Sequence, residues 1–174
     1  MKTTARILVA LAVCLALGAC TKKVKPEDTS NNNNNSGSNN GAQTNPMAGD
    51  GVYGPEDLDT DACLRQRVVY FDFDQDSLSP QFQAAIACHA KYLRDRPSAR
   101  MTLEGNADER GTREYNLALG ERRGNAVSAA VQGSGGSASQ ITVTSLGEER
   151  PTCLDSTEDC WAKNRRVEIS YTSK

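Results

Sequence analysis

Residues 101–132 read MTLEGNADERGTREYNLALGERRGNAVSAAVQ. The segment opens as a short alternating strand, Met101-Thr102-Leu103-Glu104, and crosses a charged loop from Asn106 to Gly111. Thr112 stands where a helix N-cap belongs, and the pattern then continues helical to about Gln132, where Gly133-Ser134-Gly135-Gly136-Ser137 ends it. Upstream, Arg67 to Phe73 (RVVYFDF) is β-branched and aromatic and reads as a strand. Ser79-Pro80 suits an N-cap and first helical position. Phe82, Ile86 and Leu93, with Ala85 and Ala90, then recur at helical spacing before Pro97. Downstream, Ile141 to Leu146 alternates as a third strand, and Arg166 to Tyr171 (RVEISY) forms a fourth. The expected order is β-α-β-α-β-β. It predicts an α+β two-layer sandwich, a mixed four-stranded sheet with helices on one face.

The first twenty residues, MKTTARILVALAVCLALGAC, do not belong to that domain. Lys2 and Arg6 precede an apolar run from Ile7 to Leu17, the anatomy of a secretory signal peptide. The run is too short to cross roughly 30 Å of hydrocarbon as a helix. Leu17-Gly18-Ala19-Cys20 resembles a bacterial lipobox, with cleavage before Cys20. That resemblance implies lipidation of Cys20 and anchoring through several acyl chains. Thr21, where Asp would signal inner-membrane retention, directs the expectation to the periplasmic face of the outer membrane. From Thr21 to about Asp59 no hydrophobic period is present, and residues 31–45 read NNNNNSGSNNGAQTN. Such a stretch cannot offset the entropy of ordering. As a tether of about 40 residues it has a root-mean-square reach of roughly 35 Å and extends to about 130–140 Å. The expected organisation is signal peptide 1–19, lipidated tether 20–59 and binding domain 60–174.

Composition excludes several classes of function. The chain has 20 Lys and Arg against 22 Asp and Glu, a net charge of -2. Removal of Lys2 and Arg6 with the leader makes it more acidic still. It therefore offers no basic field for a nucleic acid. A single histidine, His89, rules out a multi-histidine zinc site, and no cofactor is expected. His89 lies on the first predicted helix and reads as a surface or half-buried packing residue. Cys88 is its neighbour in sequence, about 100° away around a helix, which argues against a Cys–His hydrolase. Asp108 and Glu109 are adjacent carboxylates, but neighbours in sequence rarely flank one glycosidic bond from opposite sides. Hydrolase chemistry is the disfavoured alternative.

Four cysteines remain in the predicted domain: Cys63, Cys88, Cys153 and Cys160. An oxidising periplasm permits three pairings, with free buried thiols as the alternative. Cys153 and Cys160 flank a short loop, while Cys63 precedes the first strand and Cys88 lies on the helix after it. The expected pairs are 153–160 and 63–88.

Glu104 to Arg123 (EGNADERGTREYNLALGERR), VVYFDFD at 68–74 and NRRVEI at 164–169 together resemble the outer-membrane protein A-like peptidoglycan-binding domains. The resemblance extends over residues 68–171. With the lipobox and tether, it is nearest the lipid-anchored branch of that family that works with the Tol system. Lipid-anchored cell-wall binders outside that system are the alternative. The resemblance implies a non-catalytic module that holds the diaminopimelate centre of the peptidoglycan stem, and docking to the periplasmic Tol propeller protein. Asp108 and Arg123 match the family's ligand-binding aspartate and arginine. Asn106 stands where relatives often carry His.

The residue types suit such a ligand. Diaminopimelate ends in one carbon that bears both an ammonium and a carboxylate. Asp108 can accept from the ammonium, and the Arg123 guanidinium can grip the carboxylate with two prongs. Backbone N–H groups at Gly111 and Thr112, at a helix N-terminus, also favour an anion. Phe73 and Asp74 can wall the pocket, although Phe73 suits the core equally well. The competing reading is a purely structural Asp108–Arg123 ion pair. Glu109, Arg110 and Arg113 read as a solvated cluster that orders the loop, and Asn164 and Arg165 either line the groove or start the last strand.

Overall fold

The computed structural model describes residues 51–174. The leader, the lipobox with Cys20 and most of the expected tether lie outside the described residues. Strand β1 (Val68–Tyr70) leads through a 3₁₀ turn (Pro80–Phe82) into helix α2 (Gln83–Asp95). Strand β2 (Arg100–Asn106), helix α3 (Arg113–Gly133), strand β3 (Ile141–Gly147) and strand β4 (Arg166–Ser173) complete the expected alternation. Two short helices were not anticipated, α1 (Asp57–Thr60) and α4 (Glu158–Asn164). Ser79 makes no side-chain cap bond; Pro80 instead opens the 3₁₀ turn, and α2 starts three residues later.

The sheet order is β1-β4-β2-β3, antiparallel except for the β2–β3 pair. Its mixed character therefore comes from one crossover, β2–α3–β3. Met101 and Leu103 of β2 and Val167 and Ile169 of β4 point into the core, while Thr102 and Glu104 alternate to the other face. Ile86 and Leu93 of α2 and Val127 and Val131 of α3 cover the apolar face. Folding also reaches further towards the N-terminus than the boundary expected near residue 60. Tyr53 and Leu58 are buried in this core, and the backbone N–H of Tyr53 donates to Asp95 at 2.9 Å.

α3 lies unusually close to β2. A Cβ on Gly105 would stand 1.9 Å from the Gly120 carbonyl oxygen, and one on Gly120 would stand 2.4 Å from Ser145 Oγ. These two glycines let helix and strand backbones touch, which fixes where the side chains of α3 meet the end of β2.

The cysteines pair as 63–88 and 153–160. The first bridge fastens the segment before β1 to α2, and the second closes the loop that leads into α4. His89 departs from expectation: it is fully buried, with Nδ1 2.9 Å from the Tyr171 hydroxyl and Nε2 3.1 Å from the Gln66 carbonyl. Burial holds its pKa down to about 4.

Candidate functional site

The end of β2, the N-terminus of α3 and the loop after β1 converge on a cavity of about 230 Å³. Phe73, Asp74, Asp108, Gly111 and Arg123 all line it, as does Arg110. Thr112, expected to share in binding, does not line the cavity; it is exposed, and its hydroxyl accepts from Tyr115 N–H at 3.2 Å and caps α3. Gly111 has φ 120°, and a Cβ there would press on Tyr115 and Asn116 at 3.3 Å. The turn that presents the loop to the cavity therefore favours glycine. Asp74 also has positive φ, 56°, and its carboxylate accepts from the Tyr115 hydroxyl.

The two residues expected to form the zwitterion clamp make no ion pair with each other. Asp108 is 4% exposed. Its Oδ1 accepts from the backbone N–H and Nε of Arg110, both at 3.1 Å. Its Oδ2 accepts from Arg110 Nη2 at 2.7 Å and Arg165 Nη1 at 3.3 Å. About four lone-pair directions are available on a carboxylate, so Arg110 and Arg165 fill them. Burial alone would raise this carboxyl, but the hydrogen bonds from Arg110 and Arg165 outweigh it and hold the pKa below the usual range.

Arg123 has no exposed surface. Its Nε donates to the Gln75 carbonyl at 2.8 Å, Nη1 to the Asn106 carbonyl at 2.8 Å and Nη2 to the Asp72 carbonyl at 3.2 Å. Burial lowers its pKa to about 10, with the charge of Asp108 opposing that shift, so it remains a cation at neutral pH. It forms the charged floor of the cavity and ties the β1–α2 loop to the end of β2.

Arg110 has a larger part than a solvated loop charge. Its guanidinium lies between the rings of Phe73 and Trp161, 4.0 and 4.1 Å from their centroids. Phe73 is 55% exposed, so the loop uses it as a wall and not as core. Arg165 is buried and links Asp108 to Glu158, which it meets at 2.7 Å. Trp161, which no local sequence pattern marks as part of the site, comes from α4, and its Nε1 donates to Glu109 at 3.0 Å. The 153–160 bridge and the Asn164 amide fasten this lobe; Asn164 Oδ1 accepts from the N–H groups of Thr152 at 2.9 Å and Cys153 at 3.1 Å. The sequence signal for α4 was only an acidic residue pair before a single aromatic, too short to show a period.

An α+β sandwich that gathers a buried carboxylate and three guanidinium groups at the end of its parallel pair defines a known class of domain. The chain belongs to the OmpA family, whose family model matches residues 70–165. It is 42% identical over 161 residues, 92% of each chain, to a peptidoglycan-associated lipoprotein of Pseudomonas putida. A crystal structure of the peptidoglycan-associated lipoprotein from Burkholderia pseudomallei is 44% identical with a TM-score of 0.65, covering 67% of this chain and 98% of that one. These relatives place it among the peptidoglycan-associated lipoproteins. The C-terminal domain of Helicobacter pylori MotB shares the fold at 20% identity, with a TM-score of 0.56 over 62% of this chain and 84% of that one.

Proposed function

We propose that the cavity holds the diaminopimelate centre of a peptidoglycan stem and that the protein thereby ties the outer membrane to the cell wall. The observation that carries this reading is the buried Asp108 beside two cations, Arg110 and Arg123, around one small cavity. The ligand's ammonium takes the place of the Arg110 side chain on Asp108. Its carboxylate then faces the freed Arg110 guanidinium, the charged floor at Arg123 and the N–H groups at the start of α3. Phe73 and Asp74 close one side. A zwitterion suits this lining because it matches both signs at once without leaving a buried charge unpaired.

In this reading residues 1–19 are removed, acyl chains on Cys20 anchor the protein in the outer membrane, and the stretch from Cys20 to about residue 50, ahead of the buried Tyr53, spans the gap to the wall. The domain works in the Tol system and docks to its periplasmic propeller protein over a surface that overlaps the cavity. It binds without cleaving. The full chain should sediment with purified sacculi and release no soluble fragments. Failure to sediment, or release of fragments, would refute the reading.

A further inference from the structure

A second cavity, of about 530 Å³, lies beside the first. One stretch of chain divides them: Phe71 and Asp72 line the second, and the next two residues, Phe73 and Asp74, line the first. Arg165 also lines the second cavity while its Nη1 reaches Asp108, and the Asp72 carbonyl accepts from Arg123 at 3.2 Å. The two cavities thus share the stretch Phe71 to Asp74 and the Arg165 guanidinium, which places them next to one another on the same end of the sheet.

The chemistry of the second cavity differs from that of the first. Ser77, Ser79 and Gln81 supply hydroxyl and amide groups, and Tyr70 supplies an aromatic surface. Tyr70 is 44% exposed, and its ring leans on Phe82 with centroids 6.5 Å apart, which holds it as a platform. The charged side chains of Asp72, Asp159 and Lys163 are exposed, where water screens them. The one buried charge of the lining, Arg165, is already paired with Asp108 and Glu158. The lining therefore suits a ligand without net charge, with one apolar face and a rim of hydrogen-bonding groups. A pyranose is such a ligand: its C–H face stacks on an aromatic ring, and its hydroxyl and acetamido groups meet amides, hydroxyls and carboxylates. The volume falls within the range of small-molecule sites.

We infer that this cavity is a carbohydrate subsite, which takes an amino-sugar ring of the glycan to which the stem is attached. The inference rests on stem binding at the Asp108 cavity. It makes the protein a reader of stem and glycan together.

Calorimetric titration of the full chain with two probes tests it: a diaminopimelate-containing stem peptide, and the same stem carrying its disaccharide. The disaccharide form should bind about tenfold more tightly, the gain expected of one modest subsite. Tyr70→Ala and the surface change Gln81→Ala should each erase most of that gain and leave the affinity for the bare stem unchanged. Tyr70→Phe, which keeps the ring, should retain it. Equal affinity of the wild-type chain for the two probes would overturn the inference while leaving the stem site intact. So would a gain that persists in folded Tyr70→Ala and Gln81→Ala. Failure of both probes to bind would overturn the stem reading itself.

Discussion

Replacing Arg123 by lysine keeps the charge and removes the fork. Arg123 is fully buried, and three different nitrogens donate to the carbonyls of Asp72, Gln75 and Asn106 at 3.2, 2.8 and 2.8 Å. A single ammonium on a flexible stem cannot reach three carbonyls arranged around a planar group, so at least two bonds are lost. Hydrogen bonds from a charged donor contribute about 1.5–3 kcal/mol each, and the Asp72 and Gln75 carbonyls can turn to water, so the lower end applies: about 3 kcal/mol in all. Urea unfolding should show this loss as a lower midpoint with an unchanged slope. Under conditions where the variant is still folded, stem affinity should fall about tenfold or more, because the same bonds hold the two loops that frame the cavity. A loss below about 1 kcal/mol together with unchanged stem affinity would refute the reasoning.

Gly120→Ala would set a Cβ 2.4 Å from Ser145 Oγ and 2.7 Å from the Gly105 carbonyl oxygen, so α3 must lift off β2. Overpacking of this kind costs about 1–3 kcal/mol, which thermal unfolding will register. Burial pushes His89 down to about 4 from an ordinary 6.5. The unfolded chain therefore takes up a proton that the folded chain refuses: this contribution is complete above about pH 6.5 and is lost as the pH falls to 4, by about 3 kcal/mol. An imidazole titration by NMR should find a midpoint near 4, and a midpoint near 6.5 would contradict the buried environment. Trp161 is the sole tryptophan and stacks on Arg110, so its fluorescence should change when a stem binds. Trp161→Ala should weaken that binding severalfold and Trp161→Phe should largely restore it, both measurable by calorimetry.

Long, periodic elements were legible from the residues. Thr112 marks the start of α3, and its side chain does cap it. The alternation of Ile141 to Leu146 marked β3, whose Ile141 and Val143 pack against the core. The short helices α1 and α4 were not legible, because four and seven residues carry too little periodicity. The state of His89 also escaped the sequence: its partners, Tyr171 and Gln66, are 82 and 23 residues away. In the site, residue types were readable but pairings were not. Asp108 and Arg123 do border one cavity, yet tertiary packing gives Asp108 to Arg110 and Arg165, and gives Arg123 to backbone carbonyls. Arg165 and Trp161 matter because α4 and the residue that joins it to β4 fold back onto the loop at Asp108–Arg110, a long-range event that no local pattern announces.

The most direct test of the central claim is calorimetry of the full chain against stems that carry diaminopimelate or lysine at the same position. Lysine keeps the ammonium for Asp108 but offers no carboxylate to Arg110 and Arg123. Diaminopimelate stems should bind at least about tenfold more tightly, since one lost charge-assisted contact is worth roughly 1.5–3 kcal/mol. Asp108→Ala should abolish that binding while the protein still melts cooperatively. Equal affinity for the two stems, or unchanged diaminopimelate binding by folded Asp108→Ala, would contradict the assignment of the site.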